Sequence, residues 1–169
     1  IDTLISLKDT PLIEKVIEIC CLIKSSIVAE DERDRGMRRI LNYGHTIGHA
    51  LEAAFNFETF RHGEAVVLGM LGSSWISREK GLISEEDFNR IELLLKNVQM
   101  PEVERLPSPS RIIEKVAFDK KISDGKLNFV LLNKIGNAFI CEELSNEQIQ
   151  SAVEYILEKF KFFKTLSKY

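Results

Sequence analysis

Apolar residues recur at three- and four-residue intervals through most of the chain, which is the period of amphipathic helices. In TPLIEKVIEICCLIKSSIVAE the residues Leu12, Val16, Ile19, Ile23 and Ile27 keep that spacing, and Pro11 stands where a first helical turn tolerates it, so a helix is expected through about residue 30. The charged run AEDERDRG follows, with Gly36 as a break. HGEAVVLGMLGSSWISREKG, residues 62–81, has the small and apolar content of a buried helix closed by a C-terminal glycine. Ser84 followed by Asp87 resembles a weak capping box opening SEEDFNRIELLLKNV.

Three prolines in MPEVERLPSPS, residues 100–110, mark a linker, after which RIIEKVAFDKK makes a short helix. The period then changes. LNFVLLN and AFICEE, separated by KIGN, predict a hairpin near residues 127–142 with Gly136 in its turn. Ser145 with Gln148 opens a final helix, SNEQIQSAVEYILEKFKFF. The expected fold class is therefore mainly α, a single multi-helical domain over residues 1–169 with one small hairpin, and neither a repeat nor a strand-helix alternation with G-x-G-x-x-G suggests a dinucleotide fold.

Composition narrows the function classes. At 169 residues, 44% hydrophobic and 29% charged, the chain can bury one sizeable core. A net charge of −3 with a pI near 5.7 leaves no footprint for nucleic acid, and the basic cluster KFKFFKTLSK is a short amphipathic tail. No apolar run approaches the roughly 20 residues that span a bilayer, and IDTLISLKD does not read as a signal peptide, so no membrane partner is expected. Cys20, Cys21 and Cys141 have no metal or disulfide spacing and read as small core residues of a cytoplasmic protein. The chain lacks an initiator Met and opens in apolar material, as expected of a processed product or a piece of something longer.

The stretch LNYGHTIGHALE, residues 41–52, carries the chemistry. On one continuous helix, Arg38, Asn42, His45 and His49 would share an arc of about 60°, with Ile40, Tyr43, Ile47, Leu51 and Ala54 opposite. Solvated faces are usually filled with Lys and Glu, whereas this stripe holds Arg, Asn and two of the chain's three histidines. Gly44 and Gly48 cost about 1 kcal/mol each relative to alanine, a cost that close approach by another backbone or a ligand would offset. The third histidine, His62, follows the connection FNFETFR and could fold back onto the stripe. A catalytic zinc takes three protein ligands and keeps one position open; the simplest set is His45, His49 and His62, and others replace one histidine with Glu52 or Glu64.

IKSSIVAEDERDRGMRRILNYGHTIGHALE at 23–52, HGEAVVLGM at 62–70, DKK at 119–121 and FVLLNKIG at 129–136 together resemble the C-terminal domain of dehydroquinate synthase, in matching order and separation. The resemblance implies an enzyme of the shikimate pathway, serving aromatic amino acid and chorismate biosynthesis, which needs NAD and Zn2+ or Co2+. It implies that His45 and His62 bind the metal while His49 contacts substrate, with Lys24, Arg38, Asn42 and one or both of Lys120 and Lys121 as further substrate contacts. The family's third metal ligand, a glutamate in a segment like E-V-I-K, and its N-terminal NAD-binding domain both precede the point where these residues start. Asp34 stands where the family's D-E-R-E usually has a second glutamate, and its shorter carboxylate is left off the site.

The implied reaction converts 3-deoxy-arabino-heptulosonate 7-phosphate to 3-dehydroquinate and phosphate. Arg38 and Lys24 suit the substrate's carboxylate and phosphate. Oxidation of a hydroxyl acidifies the neighbouring carbon, phosphate is eliminated, the ketone is reduced again, and ring opening with aldol closure forms the carbocycle. In the family the substrate's own phosphate is often given the role of base, which by the resemblance leaves His49 to orient and stabilise. The family is commonly a homodimer. Two other readings compete, a related sugar-phosphate cyclase acting on another phosphorylated sugar, and a non-catalytic, isolated helical module.

Overall fold

A computed structural model describes residues 9–33, 36–122 and 127–165, without the side chains of 118–122, 164 and 165. Residues 1–41 and 42–169 gather into two compact units.

The first unit is built on α1, Thr10–Glu30. The Asp9 carboxylate accepts from the Leu12 N–H at 3.1 Å and Pro11 lies in the first turn, so the helix starts where its caps require. Beyond it, the Asp31 carboxylate accepts from the backbone N–H groups of Gly36, at 2.8 Å, and Arg38, at 3.1 Å, at the start of a 3-10 helix at Met37–Asn42. Cys20 and Cys21 are exposed on α1, contrary to the expectation of core thiols, because this helix buries none of its residues, the stripe residues Ile19 and Ile23 included.

In the second unit the helices are α2 (His45–Ala54), α3 (His62–Glu79), α4 (Glu85–Leu95), α5 (Pro109–Ile122) and α6 (Asn146–Phe160). Strands β2 (Phe129–Lys134) and β3 (Asn137–Cys141) pair antiparallel, and Gly136 turns between them at φ +86°. The class is mainly α with one small hairpin, as the periodicity predicts. The Ser84 hydroxyl accepts from Asp87 N–H to start α4, and Ser145 with Gln148 forms a full capping box on α6. A two-residue parallel pair that the pattern does not signal, β1 (Gln99–Met100) with β4 (Lys164–Thr165), joins the start of the proline-rich linker to the segment after α6. The last helix accordingly stops at Phe160 and not Phe163, which turns back into the core.

Helix α3 is the axis of this unit and packs against α2, α4, α6 and β2. Ten of its residues are buried, among them Leu68, Leu71 and Ile76. Ser77 Oγ, fully buried, donates to Ser73 O at 2.8 Å and accepts from Leu132 N–H at 3.0 Å, so the helix supplies a partner to the strand lying on it. Gly69 and Gly72 are packing positions, whereas Gly63 faces open space. Among the described residues no helix is long and apolar enough to cross a membrane.

Candidate metal and substrate site

The single helix expected over residues 38–54 is broken. Gly44 takes a left-handed conformation at φ +82°, so the 3-10 helix ends at Asn42 and α2 begins afresh at His45. A straight α-helical face therefore does not align Arg38 and Asn42 with the histidines. The reason lies in the partner helix. A Cβ on Gly44 would stand 2.5 Å from Met70 N and 2.7 Å from Val66 O, and one on Gly48 3.1 Å from Val66 Cα. The glycines that weaken the helix locally let α2 and α3 meet backbone to backbone, which is the close approach their cost implied.

From Gly44 onward the face expected to be buried is buried, with Ile47, Leu51 and Ala54 in the core. His45 and His49, one turn apart, lie on the other side. His62 opens α3 and joins them. The ring centroids stand 5.5 Å apart for His45 and His49, 5.2 Å for His45 and His62, and 5.5 Å for His49 and His62. Metal–nitrogen bonds of about 2.0–2.1 Å place each ring centre about 3.2 Å from an ion, and neighbouring ring centres in a tetrahedral site about 5.2 Å apart. The three imidazoles have the spacing that a shared ion requires.

Their surroundings differ. His45 is half-buried, and its Nδ1 lies 3.4 Å from the carbonyl oxygen of Tyr43. Burial holds its pKa below the usual histidine value; the bond to the Tyr43 carbonyl opposes that shift, and the neighbouring His49 and His62 add to it. The shift favours the neutral imidazole, which is the ligating form. Nδ1 of His62 lies 3.3 Å from both carboxylate oxygens of Glu52, whose side chain is only 11% exposed. His49 is exposed, and its ring makes no hydrogen bond among the described residues. Glu52, His49 and His62 also offer ligand atoms within 4.8 Å of one another. Of the two glutamates that could replace a histidine, only Glu52 joins this group, because Glu64 accepts from Arg61 N–H at 2.8 Å and caps α3.

The family model for the 3-dehydroquinate synthase C-terminal domain matches residues 1–122. The chain belongs to the 3-dehydroquinate synthase family. It is 43% identical over 142 residues to the 3-dehydroquinate synthase of Desulforamulus reducens, covering 83% of this chain and 40% of that one. Over 162 residues it is 36% identical to that of Rippkaea orientalis, covering 94% and 43%. This chain thus spans about two fifths of the length of these curated relatives. Among solved structures it resembles 2-deoxy-scyllo-inosose synthase complexed with carbaglucose-6-phosphate, NAD+ and Co2+, with a TM-score of 0.69 and 25% identity over 86% of this chain and 41% of that one. It also resembles 2-epi-5-epi-valiolone synthase from Streptomyces hygroscopicus subsp. jinggangensis with NAD+ and Zn2+ bound, with a TM-score of 0.64 and 25% identity over 79% and 37%.

Within this dehydroquinate synthase domain the structure brings together His45, His49 and His62 of the expected site. Asn42 is exposed at the end of the 3-10 helix. Lys24 is exposed on α1, and Arg38 donates from its guanidinium to Glu32 O at 3.1 Å, both in the first unit. Lys120 and Lys121 fall in the last turns of α5 with side chains outside the described residues, and Asp34 lies outside them altogether.

Proposed function

We propose that this chain is the metal- and substrate-binding part of a 3-dehydroquinate synthase, acting on 3-deoxy-arabino-heptulosonate 7-phosphate with NAD and a divalent metal, Zn2+ or Co2+. The observation that carries this reading is the inequality of the three imidazoles. His45 and His62 each meet an oxygen acceptor at Nδ1, which leaves Nε2 free to ligate, while His49 has no such anchor. Anchored rings suit ligands, and a ring with no such acceptor among the described residues is left to meet substrate. His45 and His62 would hold the ion, with a third ligand supplied from the longer protein's E-V-I-K-like segment.

When bound, the ion would supply acidification of the substrate hydroxyl that is to be oxidised, and NAD would supply a reversible hydride acceptor. This chain's residues bind and orient. His49 donates to or accepts from substrate oxygens, and Lys24, Arg38, Asn42 and one or both of Lys120 and Lys121 contact the remaining polar groups, an assignment supported by the motif match. Arg38 suits a carboxylate or phosphate by bidentate donation, and a lysine meets such an anion as a point charge.

The NAD-binding domain, by this proposal, lies in the part of the protein corresponding to the rest of the relatives' length. The enzyme works in the cytoplasm, a compartment supported by three free cysteines, two of them exposed. The family resemblance supports a homodimer.

The test is turnover by the gene's complete product, supplied with NAD, Zn2+ and the heptulosonate phosphate, with phosphate release and 3-dehydroquinate measured together. Equal amounts of both products are expected. Turnover of a different sugar phosphate alone would assign the protein to another branch of the sugar-phosphate cyclases, and no turnover of any with full metal occupancy would favour a non-catalytic module.

A further inference from the structure

We infer that Glu52 is a positioning residue for His62, holding its imidazole as the Nδ1–H tautomer so that Nε2 faces the metal. This inference rests on the metal-site reading above.

Glu52 belongs to α2 and yet does not behave as a core side chain. The residue is 9% exposed, and among the described residues the only side-chain partner of its carboxylate is His62. A buried carboxylate is costly unless something answers its charge. The answer arrives from ten residues along the chain, at the first position of α3. The two helices are held at contact distance by Gly44, Gly48 and Gly69, so the carboxylate and the ring do not depend on flexible segments to meet.

The orientation favours a hydrogen-bond acceptor over a ligand. Both oxygens stand at the same 3.3 Å from one nitrogen, so the carboxylate straddles Nδ1 symmetrically, with a carboxylate oxygen also within 4.8 Å of a ligand atom of His49. Burial is graded in the same sense, with 11% of the glutamate side chain exposed against 56% of the imidazole. The carboxylate supports the ring from the protein side. His45 shows the same design with a different acceptor, the Tyr43 carbonyl at its Nδ1. Free imidazole favours a proton on Nε2, so an acceptor at Nδ1 is needed to keep Nε2 open, and such outer partners also raise the basicity of the ligating nitrogen.

Two measurements on the complete protein test the inference. In the metal-free wild type at a pH where His62 is neutral, nitrogen-15 NMR of the ring should report a proton on Nδ1; a proton on Nε2 overturns the proposal without any variant. Then Zn2+ affinity, by competition with a chromophoric chelator, and the Co2+ absorption spectrum are compared across wild type, Glu52→Gln, Glu52→Asp and His62→Ala. Glu52→Gln should weaken Zn2+ binding about 10- to 100-fold with a tetrahedral Co2+ spectrum retained, and Glu52→Asp should recover part of the loss. Unchanged affinity in Glu52→Gln, with His62→Ala losing the ion, overturns the role of Glu52 alone. A loss in Glu52→Gln as complete as in His62→Ala, with the Co2+ spectrum changed in kind, makes Glu52 a ligand and also overturns positioning. Metal retained at full affinity in His62→Ala removes the site reading itself.

Discussion

A Cβ on Gly69 would lie 1.9 Å from the carbonyl oxygen of Gly44, so at this point α2 and α3 are separated by backbone alone. The histidines of one helix reach the histidine of the other because nothing bulkier than hydrogen stands between the two. Gly69→Ala must push the helices apart, and overpacking of this kind typically costs about 1–3 kcal/mol or more. The variant should unfold at lower urea than wild type and bind Zn2+ more weakly. Wild-type stability in Gly69→Ala would show that the helices can slide apart freely, contrary to the packing described.

Turnover and metal content should separate the three histidines. His45→Ala and His62→Ala are expected to lose most bound metal, measured by elemental analysis of the complete protein. His49→Ala should keep its metal while turnover falls about 100-fold, the scale of loss when a positioning contact is removed. Equal loss of both in His49→Ala would make it a ligand.

Deleting the Ser77 hydroxyl should loosen the hairpin selectively. Ser77→Ala leaves the buried Leu132 N–H without its acceptor, a loss of about 1–3 kcal/mol. Hydrogen exchange should quicken in β2 more than in α4 or α6. Uniform quickening would mean that the bond serves global stability only.

Alkaline stability should depend on Tyr155. Its ring stacks on Trp75 at 3.7 Å between centroids, and its hydroxyl donates to Glu92 Oε1 at 2.5 Å. Burial, then the bond to Glu92 and that residue's charge, raise the phenol's pKa above its ordinary value of 10.0. The unfolded chain therefore releases this proton first as pH rises. The tyrosine's contribution is complete below about pH 10 and declines above it as the unfolded state ionises. Urea midpoints should fall more steeply between pH 9 and 11 in wild type than in Tyr155→Phe, and parallel declines would exclude the tyrosine as the cause.

Much of the local structure was legible in the residues themselves. Ser84 and Ser145 start α4 and α6 because their hydroxyls reach an N–H three residues on, and Gly136 turns the hairpin because it tolerates positive φ; such interactions span a few residues and are written there. The pairing of His45 with His49 followed from helical spacing in the same way. The supposed unbroken stripe from Arg38 to His49 failed because helical periodicity takes no account of a neighbouring helix, and it is α3 that leaves Gly44 room for hydrogen only.

By itself, then, the sequence determined most of the helices, the hairpin and the family, since capping, periodicity and motif spacing are properties of neighbouring residues. Only the tertiary structure decided that His62 meets His45 and His49, that Glu52 and not Glu64 stands beside it, and that Gln99–Met100 pairs with Lys164–Thr165. These contacts depend on how closely two helices approach and where the chain returns after α6, which packing sets across tens of residues.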